Sequence, residues 1–186
     1  MSQPKLHIDE LLQLCKQGNQ KAQLEVYNRY FKAMYNTAFR IVGDSFEAED
    51  VMQESFLNAF TKLDTFKGEV AFGAWLKRIV VNNSIYVYRK KTKHEQVSYD
   101  QVMYKVEDHD GVVLDDGDVT NNKAQKVLET MKLLKDNYRV SLTLHLIEGY
   151  DYEEICDIMQ MSYASCRTTI SRAKESLRKK LIANAS

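Results

Sequence analysis

The stretch Ala48–Lys91 constrains the fold most, because two different helical patterns follow one another there with only a few residues between them. In its first part Val51, Met52, Ser55, Phe56, Ala59, Phe60 and Leu63 recur at three- and four-residue steps. That spacing predicts an amphipathic helix with one buried stripe. The stripe fixes the opposite face, which carries Glu49, Asp50, Gln53, Glu54 and Asn58 near the helix N-terminus, where the helix dipole favours carboxylates. In the second part Phe72, Trp75, Leu76, Ile79, Asn83 and Val87 are expected to point inward, leaving Arg78, Asn82 and Arg89 on one basic, amide-rich outer line. Between the two helices Thr65, Phe66, Lys67 and Gly68 form a short loop with an aromatic, a cation and a flexible residue.

The flanking sequence extends the same architecture. Asp9–Lys16 predicts a short helix with Ile8, Leu11, Leu12 and Cys15 on one side, stopped at Gly18-Asn19. Lys21–Val42 predicts a longer one, its broad apolar face made of Leu24, Tyr27, Tyr30, Phe31, Met34, Tyr35, Ala38, Phe39 and Ile41. These helices and the two above make one helical domain, residues 1–95, ending near Arg89 to Lys93. From residue 123 a second helical domain begins, with Ala124, Val127, Leu128, Met131 and Leu134 on a stripe. A helix over about Asn137–Glu148 follows, with Leu142, Leu146 and Ile147 inward and Gly149 as a left-handed stop. Asp151 caps the next helix, Tyr152–Met159, which buries Ile155 and Met159. After Gln160-Met161-Ser162 a last helix has Cys166, Ile170, Ala173, Leu177 and Leu181 inside, and Ser165, Arg167, Thr168, Ser171 and Arg172 outside. A short capped helix, a three-residue turn and a longer helix with small and basic outer residues is a helix-turn-helix layout.

The expected class is therefore all-α: two small helical domains, 1–95 and 123–186, joined by a flexible linker, 96–122. Charge supports the division. Residues 1–95 hold 14 Lys+Arg against 11 Asp+Glu, residues 123–186 hold 11 against 8, and residues 96–122 hold Lys105 alone against seven acids. A net charge of zero thus conceals two mildly basic ends and an acidic tether. The tether has weak hydrophobic periodicity and reads either as a solvated spacer or as a functional strand.

Several function classes are excluded. There is no phosphate loop, GxSxG or HExxH pattern, so no enzyme activity, small-molecule substrate or cofactor is expected. Cys15, Cys156 and Cys166 have neither CxxC nor metal spacing and the four histidines are scattered, so no metal site is expected. The cysteines read as reduced packing residues. With no run of eighteen apolar residues and no signal-peptide core at the start, the expected location is cytoplasmic, without membrane insertion.

The motifs resemble those of the group IV, or extracytoplasmic-function, sigma factors of bacterial RNA polymerase. Ala48-Glu49-Asp50, Gln53-Glu54-Ser55-Phe56, Trp75-Leu76-Lys77-Arg78-Ile79, Asn82 and Arg89-Lys90-Lys91 carry the resemblance at one end. Tyr138-Arg139, Glu148-Gly149, Glu154-Ile155, Ser171-Arg172-Ala173 and Leu177-Arg178 carry it at the other. Three positions depart: Tyr86 where the family usually has Asp, Lys135 where proline is common, and Ser165-Cys166 in place of Thr-Val.

The resemblance implies a subunit that binds core RNA polymerase, directs it to specific promoter DNA and initiates melting. Glu49, Asp50, Gln53 and Glu54 would then meet the clamp helices of the largest polymerase subunit. Thr65, Phe66 and Lys67, with Arg78, Asn82, Arg89 and Lys90, would hold the minus-ten element, Phe66 either stacking on a flipped base or anchoring the loop to the core. Ser165, Arg167, Thr168, Ser171 and Arg172 would read the minus-thirty-five element as duplex, Arg167 or Arg172 setting base preference. The linker would enter the RNA exit path, and an anti-sigma factor is implied as inhibitor; the charge split by itself predicts that the linker acids oppose promoter binding until core polymerase takes the linker up. The competing reading is a helix-turn-helix regulator that acts without polymerase. It leaves the acidic face and the Arg78-Asn82-Arg89 line without a role.

Overall fold

The computed structural model describes residues 6–98 and 119–183, with side chains for 6–93 and 123–183. Most of the acidic tether, including Asp100, Glu107 and Asp115, lies outside the described residues. Among the described residues there is no strand, and the chain divides after Lys91 into two compact units. In the first, α1 (Ile8–Lys16), α2 (Gln20–Val42), α3 (Ser45–Thr61), a 3-10 turn (Leu63–Thr65) and α4 (Phe72–Ser98), whose last residues lie past the division, follow in order. The second holds α5 (Val119–Lys132), α6 (Asp136–Leu142), a π-helical segment (Thr143–Ile147), α7 (Tyr152–Met159) and α8 (Tyr163–Ala183).

In the first unit the helix starts are written in short polar side chains. Asn19 Oδ1 accepts from the Ala22 N–H at 3.1 Å, and Asp44 Oδ1 from the Glu47 N–H at 2.9 Å, each satisfying a donor that the first turn leaves open. The core joins Leu11, Leu12 and Cys15 of α1 to Val26 and Met34 of α2, Val51, Met52 and Phe56 of α3, and Leu76 and Val80 of α4. Burying each of these larger side chains contributes about 1.5–3 kcal/mol. Gly73 opens α4 beside Tyr30, whose ring would lie 2.9 Å from an added Cβ, so a bare backbone is what lets that ring meet Phe72 edge-on.

One polar link locks α3 to α4. Asn83 Nδ2 donates to the buried Ser55 Oγ at 2.9 Å, while Ser55 Oγ donates to the Val51 carbonyl at 2.6 Å. Ser55→Ala removes the acceptor and leaves the Asn83 amide underused. Urea unfolding should show a loss of about 1–2 kcal/mol with an unchanged slope. A loss below the error of the measurement would mean that water replaces the hydroxyl.

The structure corrects the periodic reading in four places. On α2, Leu24 is 59% and Phe31 37% exposed, because the packed strip centres on Ala22, Val26, Met34, Ala38 and Ile41 and those two sit at its edge. Over the 27 residues of α4 the buried face rotates: Val80, Val81, Ser84, Ile85 and Tyr88 are buried, while Asn83 and Val87 are half-buried. The α4 helix itself continues to Ser98, beyond the division after Lys91. Ala124 is exposed, the buried side of α5 being Thr130 and Met131 with Leu134 just beyond it. Leu146 is 50% exposed and Leu144 takes the buried place. The cause there is the π-helical segment, in which the Glu148 N–H reaches the Thr143 carbonyl five residues back, so each wider turn shifts the phase that an α-period extrapolates from Leu142.

Gly149, at φ +81°, supplies the left-handed residue that ends the π-helical segment and frees the chain to start α7. Asp151 then caps α7 in a reciprocal box with Glu154, at 2.8 and 3.0 Å. Between α7 and α8 the turn is Gln160-Met161-Ser162, with Gln160 left-handed at φ 50°. Ser162 Oγ accepts from the Ser165 N–H at 3.2 Å and so caps α8. Ile155, Cys166, Ile170 and Ala173 close the core of this unit, and Met159 and Leu181 are half-buried at its margin.

Candidate nucleic-acid and protein interfaces

The face opposite the α3 stripe is exposed at Glu49, Asp50, Gln53 and Glu54. Its carboxylates are held apart by the helix that carries them, and among the described residues neither Asp50 nor Glu54 has an ion-pair partner. Glu49 lies toward α2: with burial as the larger cause, its charge raises the phenol pKa of both Tyr27 and Tyr35 above the usual tyrosine range. Sequence reasoning missed two members of this face. Phe46 is 70% and Leu57 69% exposed, and with Asp50 and Gln53 they make a row at three- and four-residue steps along α3. Their exposure, read against the regular α3 period, was the available signal.

The loop after α3 is pinned by its aromatic. Phe66 is half-buried, its ring 5.6 Å from Phe72 in an edge-on pair and 5.4 Å from Trp75. It serves as an anchor that fixes Thr65, Lys67 and Gly68, all exposed, at the entrance to α4. The Thr65 hydroxyl is turned back, donating to the Lys62 carbonyl at 2.7 Å.

Along α4, Arg78, Asn82, Tyr86 and Lys90 are exposed at four-residue steps, so they form one ridge that begins one turn beyond Trp75. Arg89 was expected on this line and is instead half-buried beside it, displaced by the same rotation of the packed face that buries Ile85 and Tyr88. The ridge therefore alternates cation, amide, aromatic and cation. Tyr86, 69% exposed, occupies its centre, a position the outer line drawn from the sequence does not include.

On α8 the outer residues fall as the pattern predicts. Ser165, Arg167, Thr168, Ser171 and Arg172 are all exposed, and a shallow open groove runs between Tyr163, Ala164, Arg167, Thr168, Ser171 and Arg172. Ser165 shares in the cap, its Oγ accepting from Ser162 Oγ at 2.9 Å. Arg167 and Arg172 have no ion-pair partner among the described residues, which leaves both guanidinium groups presented to solvent. Tyr163, 53% exposed at the start of α8, widens this surface beyond the residues named from the sequence. No group of three or more His, Cys, Asp or Glu among the described residues is arranged to hold a metal ion, and no helix there is long and apolar enough to cross a membrane.

The comparisons with known proteins divide the chain in the same way. The family model for Sigma-70 region 2 matches residues 26–94, and that for Sigma-70 region 4 matches residues 124–177. Over 181 residues the chain is 30% identical to the ECF RNA polymerase sigma-E factor of Haemophilus influenzae, covering 92% of this chain and 93% of that one. It is 29% identical over 180 residues to the ECF RNA polymerase sigma factor SigW of Bacillus subtilis, covering 94% and 96%. Two solved structures share the fold. The sigma factor RpoE, in a co-crystal with the anti-sigma factor NepR from Bartonella quintana, gives a TM-score of 0.55 at 22% identity, covering 84% of this chain and 94% of that one. CnrH, in complex with the cytosolic domain of CnrY, gives 0.51 at 23% identity, covering 93% and 96%. With region 2 matched over the unit that holds the exposed acidic row of α3 and the ridge of α4, and region 4 over the helix-turn-helix, the chain belongs to the ECF sigma factors of RNA polymerase.

Proposed function

We propose that the α3 row docks this sigma factor on core RNA polymerase through Glu49, Asp50, Gln53 and Glu54, with Phe46 and Leu57 as apolar anchors at its ends. The observation that carries the reading is the pairing of that row, whose carboxylates Asp50 and Glu54 have no ion-pair partner among the described residues, with a cationic ridge on the adjoining helix of the same unit. A regulator acting alone has no use for an acidic face so near the DNA-binding residues, since carboxylates repel phosphates. Residues 1–95 then engage core and the minus-ten element, 96–122 form the tether, and 123–186 read the minus-thirty-five element. The protein acts in the cytoplasm as a non-enzymatic subunit, and an anti-sigma factor is its expected inhibitor. Reconstitution tests the reading: the purified chain with core polymerase should transcribe from a subset of a promoter library. A chain that selects a duplex operator but never co-elutes with core is a simple regulator instead.

Opening a promoter needs surfaces that hold unpaired bases and phosphates. The α4 ridge supplies Arg78 and Lys90 for phosphates, Asn82 for a base edge and Tyr86 for a base face, while Phe66 works from beneath as the anchor of the loop bearing Thr65 and Lys67. Arg89 contributes from the side. Stacking on an aromatic is worth about 1–3 kcal/mol per base, so Tyr86→Ala should lower open-complex formation by roughly 5- to 150-fold. Permanganate reactivity of unpaired thymines measures it. Tyr86→Phe should retain the wild-type value, and thermal stability should stay within about 0.5 kcal/mol because the ring is exposed. Equal opening by the Ala variant would remove Tyr86 from the surface.

A further inference from the structure

Cys15, Cys156 and Cys166 are all free thiols, and two of them lie in the helix-turn-helix. No short cysteine motif links this pair, and it is the turn between α7 and α8 that brings them together. Cys166, in the first turn of α8, is fully buried and its Sγ lies 3.7 Å from the Tyr152 carbonyl, to which the S–H donates. Tyr152 is one helical turn before Cys156 on α7. Because helical Cα–Cβ bonds tilt toward the N-terminus, the Cys156 side chain leans back over that same turn. Cys166 thus sits over the turn of α7 that Cys156 closes, near enough for the Cys156 thiol to act on its own.

Their environments differ. Burial first, then the neighbouring sulfur, push the Cys166 thiol up to about 11, which keeps it protonated at neutral pH. Cys156 is only half-buried and is the member that a small oxidant reaches. Packing alone would be served by an apolar residue at either position. A second sulfur against a buried one adds a reaction that packing does not need.

We propose that Cys156 and Cys166 are a redox pair which a hydroperoxide closes into a disulfide, and that closure disables duplex reading by α8. The Cys156 thiolate attacks one peroxide oxygen, the O–O bond breaks, and the departing oxygen leaves as water after taking a proton, giving a sulfenic acid. The Cys166 sulfur then attacks the Cys156 sulfur, the S–O bond breaks, and the Cys166 proton leaves with that oxygen as a second water. Two thiols and one hydroperoxide thus give a disulfide, water and the peroxide's second oxygen as water or alcohol. A dithiol reductant reverses it. The two sulfurs must close to about 2.05 Å in the disulfide, and the movement falls on the first turn of α8. Ser165 lies in that turn and Arg167 and Thr168 follow it directly, so the change is delivered to the groove-facing side chains.

The effect on promoter reading rests on the sigma function proposed above, whereas the chemistry of the pair does not. The experiment treats the full chain with hydrogen peroxide, removes the peroxide, alkylates free thiols and maps peptides by mass. It should yield a cross-linked Cys156–Cys166 peptide and an intact chain lighter by two hydrogens, about 2 Da, before alkylation. Dithiothreitol should reverse it, and Cys156→Ser should abolish it. Mixed with core polymerase, the oxidised chain should still co-elute, yet transcribe at least tenfold less from a promoter chosen with reduced protein, with recovery on reduction. The Cys156→Ser chain should transcribe equally before and after peroxide. Absence of the cross-linked peptide overturns the proposal, and so does a cross-linked chain that transcribes like the reduced one. If the reduced chain never transcribes with core, the sigma reading fails, and the cross-linked peptide still decides whether the pair exists.

Discussion

Asp50→Lys should abolish assembly with core RNA polymerase while leaving the first unit folded. Asp50 sits at the middle of the exposed α3 row, between Phe46 and Leu57, with no ion-pair partner among the described residues to lose. In the free protein the change is a surface substitution, one turn past the helix start, and should alter stability by no more than about 0.5 kcal/mol. In a complex it removes a carboxylate from its partner's cation and puts a like charge there. Losing one partner of a buried, hydrogen-bonded charge pair costs about 2–5 kcal/mol, and repulsion adds to it. Co-elution with core should therefore fall by at least roughly 30-fold, with an unchanged melting temperature. Leu57→Ala should weaken the complex less, since it deletes an apolar anchor without introducing repulsion. If the charge-reversed chain still co-elutes with core, the docking row has been assigned to the wrong helix.

Arg167→Ala should relax promoter choice as well as weaken binding. The guanidinium projects from the exposed side of α8 into a shallow groove with Thr168, Ser171 and Arg172, while Cys166 and Ile170 hold the opposite side of the helix in the core. A bidentate arginine contact to guanine is worth about 1–3 kcal/mol of discrimination, so the variant should lose roughly 5- to 150-fold on a matched minus-thirty-five element. On an element already mutated at the contacted base it should lose almost nothing. A phosphate contact predicts a different result, equal weakening on both sites and a salt slope smaller by about one. Competition binding with matched and mutated promoters, at two salt concentrations, separates the two.

How far the sequence could be read depended on how regular each helix is. On α3, 17 residues with an unbroken α-period, the stripe of Val51, Met52, Ser55, Phe56 and Ala59 is buried as predicted, so the exposed acids opposite it follow directly. The same holds for α8, whose five outer residues are all exposed. On α4 the period held while its phase did not. Ser84 looks like a surface residue in the sequence, yet it is fully buried, its hydroxyl satisfied by the Val80 carbonyl at 2.7 Å. Because a helix of 27 residues can rotate its packed face along its length, Arg89 moved off the outer line and Tyr86 moved into it. At Leu146 the cause was local, a π-helical turn that inserts extra residues into the repeat.

The chain by itself determined what depends on neighbours three and four residues away: an all-helical fold, the caps at Asn19, Asp44, Asp151 and Ser162, the helix-turn-helix, and the acidic face of α3. Tertiary packing decided what depends on residues far apart in the chain. It turned Phe66 onto Phe72 and Trp75 as an anchor, tied Ser55 to Asn83, and set Cys166 against the Tyr152 carbonyl across a turn. Periodicity reports which side of a helix is apolar, but not which other helix covers it or how that contact rotates along its length. Those are fixed only when the helices pack together.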